Sequence, residues 1–243
     1  VELSVAEPKL WSPESPFLYD MKVSLVRNGK KIDEVESYTA MRKFSIGRDA
    51  DDIVRLELNN EPVFQFGPLD QGWWPDGLYT APSDEALAFD VIKTKDLGYN
   101  MIRKHVKVEP ARWYYHCDKL GMIVWQDMPS GDRGPQWQMH NYFTGEEKHR
   151  SAESEANFRK EWKEIIDYLY SSPSIGVWVP FNECWGQFKT PGNRRVDEGL
   201  RSFAPGQPRQ RRQPLPYGRH PRHAPLPQPA PDAARYQPRN GAG

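Results

Sequence analysis

The stretch Ser174–Phe188, SIGVWVPFNECWGQF, carries a run of apolar and aromatic residues straight into an amide and a carboxylate, Asn182 and Glu183. A carboxylate left buried and unpaired costs several kcal/mol, so a charge at that place asks for a task. Three earlier apolar runs end in the same way. Asp70 follows PVFQFGPL, Arg103 and His105 close YNMIRKHV, and Asp127 closes MIVWQD. A carboxyl group can move a proton, and amide, guanidinium and imidazole groups can hold the oxygens of a polar substrate. One carboxylate at a strand end is ordinarily a cap or half of an ion pair. Four successive ends carrying Asp, Arg/His, Asp and Asn-Glu favour a site. Trp73, Trp74, Trp125, Trp137, Trp178 and Trp185 fall near the same ends, and aromatic faces suit the apolar side of sugar rings. Trp113, Trp162 and Trp178 equally suit a core, and for His105 a structural hydrogen-bonding role stands beside the pocket role.

The elements that must position these residues follow from period and punctuation. Residues 1–47 read as β, with FLYDMKVSLV and IDEVESYTAMRKFSI flanking an Asn28-Gly29 hairpin turn. Three strands are too few for a stable sandwich, which predicts the closing strands of a β-domain begun before Val1. Beyond about residue 54 the rhythm changes. PVFQFGPLD reads as a buried strand, and Ser83 caps a helix whose inner face is Leu87, Val91 and Ile92, stopped at Gly98. YNMIRKHV is a second strand, and Pro110 opens a helix with Trp113, Tyr114, Cys117 and Leu120 inward and Gly121 at its end. MIVWQDMP is a third strand. A long loop then leads to a helix with Phe158, Trp162, Ile165, Ile166 and Leu169 on one face, and SIGVWVPFNE is the fourth strand. Apolar strands alternating with helices predict a parallel sheet covered by helices, and a βα barrel builds its chemistry at the C-terminal strand ends.

Charge divides the chain. Its 33 basic and 33 acidic residues balance overall, yet residues 191–243 hold ten Arg, no Lys and three acids, Asp197, Glu198 and Asp232. The first 190 residues are therefore acidic, and they contain all nine Trp. Eleven of the last 53 residues are Pro and no helical or strand period survives there, a composition that predicts disorder. Cys117 and Cys184 make neither a disulfide framework nor a metal-ligand spacing, so no metal or cofactor is expected. No run of about 18 apolar residues occurs, and no membrane span is expected.

The combination of RKHVKVEPARWYYHCDKLGMIVWQDMPSG with PSIGVWVPFNECWGQF resembles the catalytic barrel of glycoside hydrolase family 2, the β-galactosidases, β-mannosidases and β-glucuronidases. LNNEPVFQFGPLDQGWWPDG is similar to the first barrel strand. The resemblance covers roughly residues 1–190, in the family's order and spacing. It implies residues 1–47 as the last strands of an immunoglobulin-like sandwich and 48–190 as about the first four βα units of a (β/α)8 barrel, followed by residues 191–243, the tail whose composition predicts disorder. It implies hydrolysis of β-linked O-glycosides with retention. Glu183 would be the general acid/base, protonating the glycosidic oxygen and later deprotonating water. Its apolar approach would desolvate the carboxyl and favour the protonated form. Asn182 would hydrogen-bond the hydroxyl next to the reacting carbon. Arg103, His105, Asp127, Trp185 and Asp70 would line the sugar pocket.

The resemblance stops after WGQFKT. The family's nucleophile is a glutamate after the seventh strand, but no Glu follows Glu198. The Arg/Pro tail reads as translation in a shifted frame, which predicts an inactive piece of a longer enzyme. Two other readings stand beside hydrolysis: a carbohydrate-binding remnant without turnover, and an interaction protein acting through its basic tail. The expected partner is a β-glycoside and not a nucleic acid, and a glycan-degrading parent favours the periplasm or the cell exterior. Oligomeric state is left open.

Overall fold

The computed structural model describes residues 4–132, 147–183 and 185–189. Trp137, Cys184, Thr190, Asp197, Glu198 and the whole Arg/Pro tail lie outside the described residues. The described residues all belong to one compact unit.

The first sheet is a hairpin of β1 (Tyr19–Arg27) and β2 (Lys30–Thr39), with Arg27 opposite Lys30. Asn28 and Gly29 both adopt left-handed φ, 51° and 74°, the geometry that joins two antiparallel strands in two residues. The second sheet is antiparallel: β3 (Phe44–Arg48), β4 (Val54–Leu58) and β5 (Glu61–Pro62), in that order. The third is parallel, β6 (Leu69–Asp70), β7 (Met101–Lys104), β8 (Ile123–Asp127) and β9 (Ile175–Val179), adjacent in sequence order. Helices α1 (Asp84–Asp96), α2 (Ala111–Leu120) and α3 (Ala152–Leu169) join successive strands of this sheet. The strand–helix alternation is as the sequence predicts.

Punctuation also falls where expected. The Ser83 hydroxyl caps α1 by accepting from Ala86 N at 3.2 Å, and Pro110 and Gly121 bracket α2. Two details differ. Leu87 and Val91 are buried, but Ile92 is 40% exposed, so the inner stripe of α1 is narrower than predicted. Only Leu69 and Asp70 of PVFQFGPLD form regular strand, and Phe64 and Phe66 are 84% and 54% exposed. The segment does run beside β7, exchanging hydrogen bonds with Asn100 at Phe66 and Phe64. However, it approaches so closely at Gly67 that a Cβ would lie 1.6 Å from the Met101 carbonyl oxygen. Gly67 and Pro68 interrupt the ladder just before β6.

Register assigns each strand residue to one of two faces. Ile102 and Val124 pair on the helix-covered face, where they pack with Leu87, Val91, Trp113, Tyr114, Cys117 and Leu169. Trp162 and Trp178 meet edge to face at 5.7 Å, so Trp113, Trp162 and Trp178 are packing residues. On the opposite face Met101 and Ile123 pair, and Trp11, Leu58 and Phe44 cover them at the N-terminal end of the strands. Trp11 is wholly buried, with its indole N–H donating to the Asp118 carbonyl at 2.7 Å. This second face is closed at the floor.

Candidate active site

Above that floor the open face carries Arg103 and Trp125, which pair in register, and Asp127 two residues beyond Trp125. The Arg103 guanidinium donates to both Asp127 oxygens, from Nε at 3.0 Å and Nη2 at 2.9 Å. The same Nη2 also donates to Asn182 Oδ1 at 2.9 Å. One arginine thus joins the ends of β7, β8 and β9. The two-toothed carboxylate contact fixes its plane as well as its position. Asp127 is 1% exposed and also accepts from Val106 N at 3.3 Å. Asn182 is buried, and its carbonyl accepts from Trp185 N at 2.8 Å, closing a turn around Glu183.

Val106 and Glu183 both have left-handed backbones, φ 47° and 44°. Such conformations cost a side-chain-bearing residue on the order of 1–2 kcal/mol, and they persist only where neighbours hold them. Both lie next to the Arg103 group. The Glu183 side chain is exposed. The described residues therefore do not supply the desolvation expected of its carboxyl, because the apolar part of the strand ends at Val179 and Glu183 lies beyond it.

His105 continues β7 past the ladder, donating its backbone N–H to the Asp70 carbonyl at 2.8 Å, while its ring Nδ1 meets Gln71 Nε2 at 2.9 Å. Trp185 is 39% exposed, and Trp73 is 56% exposed and packs on Tyr79 at 4.3 Å. Asp70 is not brought to this group. It pairs in register with Lys104 and so shares its face, the one the helices cover. There the Lys104 ammonium meets Asp70 Oδ2 at 2.6 Å and Glu109 Oε1 at 2.9 Å, with the Trp113 ring 4.3 Å away. Lys107 also reaches Glu109 Oε1, at 2.9 Å, and donates to the carbonyls of Gly72 and Tyr79. Gly72, at φ 62°, leaves room for this cluster, since a Cβ there would stand 2.3 Å from Glu109 Oε1. Burial and then the nearby Asp70 raise the Asp90 carboxyl above its usual value on the same side.

The alternation Arg103, Lys104, His105 holds the signal that separates these faces, whereas the face of Asp70 comes from the pairing of β6 with β7. Arg150, which binds the loops after β8 and β9, left no comparable signal. Among the described residues, no group of three His, Cys, Asp or Glu side chains could hold a metal ion, and no helix is long and apolar enough to cross a membrane.

Residues 1–42 match the family described as Glycosyl hydrolases family 2. The chain is 29% identical over 185 residues to a beta-galactosidase of Leuconostoc mesenteroides subsp. mesenteroides, which covers 75% of this chain and 16% of the relative. It is 27% identical over 185 residues to a beta-glucuronidase of Bacteroides fragilis, covering 74% of this chain and 24% of the relative. Among solved structures, a GH2 beta-galacturonidase from Eisenbergiella tayi bound to galacturonate superposes with a TM-score of 0.66 at 22% identity, over 82% of this chain and 34% of that one. The chain therefore spans a quarter or less of the length of these two curated relatives.

Proposed function

The chain belongs to Glycosyl hydrolases family 2, and from that premise we propose that its parent protein hydrolyses β-linked O-glycosides with retention, with Glu183 as general acid/base. The observation that supports this reading most is the junction of three strand ends. Arg103 holds Asp127 and Asn182 in one hydrogen-bonded group, and Glu183 follows Asn182 as an exposed residue. Asn182 presents its amide nitrogen to a sugar hydroxyl while Arg103 holds its oxygen. Glu183 gives its proton to the departing glycosidic oxygen and takes one back from the incoming water. Trp185, in the loop after β9, and His105, just past β7, are the groups this reading assigns to the wall that faces the sugar.

A retaining reaction needs a second carboxylate about 5–5.5 Å from the first. Asp127 is a poor candidate. Both its oxygens are engaged and it is closed to solvent, whereas a nucleophile must reach the anomeric carbon. The proposed nucleophile therefore lies on a strand beyond β9.

The test uses aryl β-glycosides with good and poor leaving groups and the parent protein beside its Glu183→Gln variant. General acid catalysis contributes on the order of 100-fold or more, so the variant should lose at least that on a poor leaving group. It should lose far less in the first step on a dinitrophenyl group, which departs without a proton. Equal losses on both substrates, or none, would remove Glu183 from the acid/base role.

A further inference from the structure

Resting on the Glu183 reading, we infer that Arg150 is a positioning residue that holds the Glu183 turn from outside the site. Arg150 directly precedes Ser151, the cap of α3. Its guanidinium makes hydrogen bonds with three backbone carbonyls. Nε and Nη2 donate to Gly186 at 3.0 and 2.9 Å, Nη2 also donates to Ser130 at 2.9 Å, and Nη1 donates to Gly131 at 2.6 Å. Ser130 and Gly131 lie in the loop after β8, the strand that ends at Asp127. Gly186 lies in the loop after β9, three residues past Glu183.

The two loops are tied again beside this clamp. The Ser130 hydroxyl donates to the Trp185 carbonyl at 2.8 Å, and Lys148 N donates to the Gln187 carbonyl at 2.8 Å. The rings of Phe158 and Phe188 lie 4.9 and 4.7 Å from the guanidinium carbon, which fixes the plane in which the fork donates. Arginine suits this place. A planar fork donates to several carbonyls along fixed directions while lying flat against rings, a geometry that an ammonium on a flexible stem does not hold as rigidly.

The turn that carries Glu183 is thus gripped at both ends, by Arg103 at the Asn182 side chain and by Arg150 at the Gly186 carbonyl. Glu183 itself has φ 44°, a backbone that relaxes when either grip is lost. Arg150 acts on the carboxyl only through the backbone, by fixing where the carboxyl starts.

Hydrogen exchange on the full chain and leaving-group kinetics on the parent protein test this together. Arg150→Met should speed exchange of the Trp185 amide, which is bonded to the Asn182 carbonyl, by about tenfold. Amides inside β8 should keep their wild-type rates. Arg150→Lys, the milder change, should fall between. In the parent, Arg150→Met should lower turnover of poor leaving groups more than of activated ones. Unchanged exchange at Trp185, or an equal rise throughout β7–β9, would overturn the inference. A local rise together with a Glu183→Gln variant of normal activity would uphold Arg150 as the holder of the turn and remove the acid/base reading instead.

Discussion

The two faces of the parallel sheet meet the same strand ends with opposite chemistry. On the helix side Lys104, Lys107, Glu109 and Asp70 close on one another, and Lys104, Lys107 and Glu109 are less than 10% exposed. On the open side Arg103 binds Asp127 and Asn182, and the next residue, Glu183, is left in solvent. Arg103 and Lys104 are neighbours in the chain, yet one turns to the open face and the other to the helix-covered face. A strand alternates its side chains, so position at a strand end is only half of an address, and parity supplies the other half.

The largest effect expected is on the scaffold side. Glu109→Ala strips two buried lysines of a shared carboxylate, and leaving buried charge uncompensated costs about 3–5 kcal/mol. Urea unfolding measures it. A loss under about 1 kcal/mol, the range of an exposed pair, would show that the cluster is solvated and that the two faces do not differ as described.

Arg103→Lys sharpens the comparison from the other side. Lysine keeps the charge and loses the fork, so one contact to Asp127 or Asn182 must go, at a net cost to folding of about 1 kcal/mol. Binding of an aryl β-glycoside should weaken by more than the same substitution weakens folding. If Arg103→Lys destabilises as much as Glu109→Ala, the open face is scaffold too.

Much of this was legible beforehand. The hairpin at Asn28-Gly29, the caps at Ser83 and Pro110, and the strand–helix order follow from local rules that tertiary packing here reinforces. The junction of Arg103, Asp127 and Asn182 follows from counting strand ends. The position of Asp70 was missed because β6 is only two residues long and offers no alternation of its own to read. Its face is set by pairing with β7. The exposure of Phe64 and Phe66 was missed because an apolar run reads as buried until the neighbour that would bury it is known. Arg150 has no sequence signature, since carbonyl acceptors belong to every residue alike.

The smallest effect lies at the opposite end of the strands, where a buried charge has a structural task. Burial raises the Asp118 carboxyl above the usual 3.8, against the pull of hydrogen bonds from Ser174 and Tyr38. The fold then favours the protonated form. The resulting stability is full below 3.8 and is lost as the pH rises through the higher folded value. Asp118→Asn should remove that decline, seen as a flatter dependence of the unfolding midpoint from acid to neutral pH. A decline that persists in the variant assigns it to another group.

Trp11 has a practical consequence for anyone cutting this protein into pieces. It comes from the segment before the first hairpin, yet it is the stopper under Met101 and Ile123, tied to Met41, Asn59 and Asp118. A polypeptide begun at residue 48 would discard that stopper and wet the underside of the strands. Shortened versions intended to isolate the parallel-sheet portion should therefore carry residues 10–15 with them, in cis or as an added peptide.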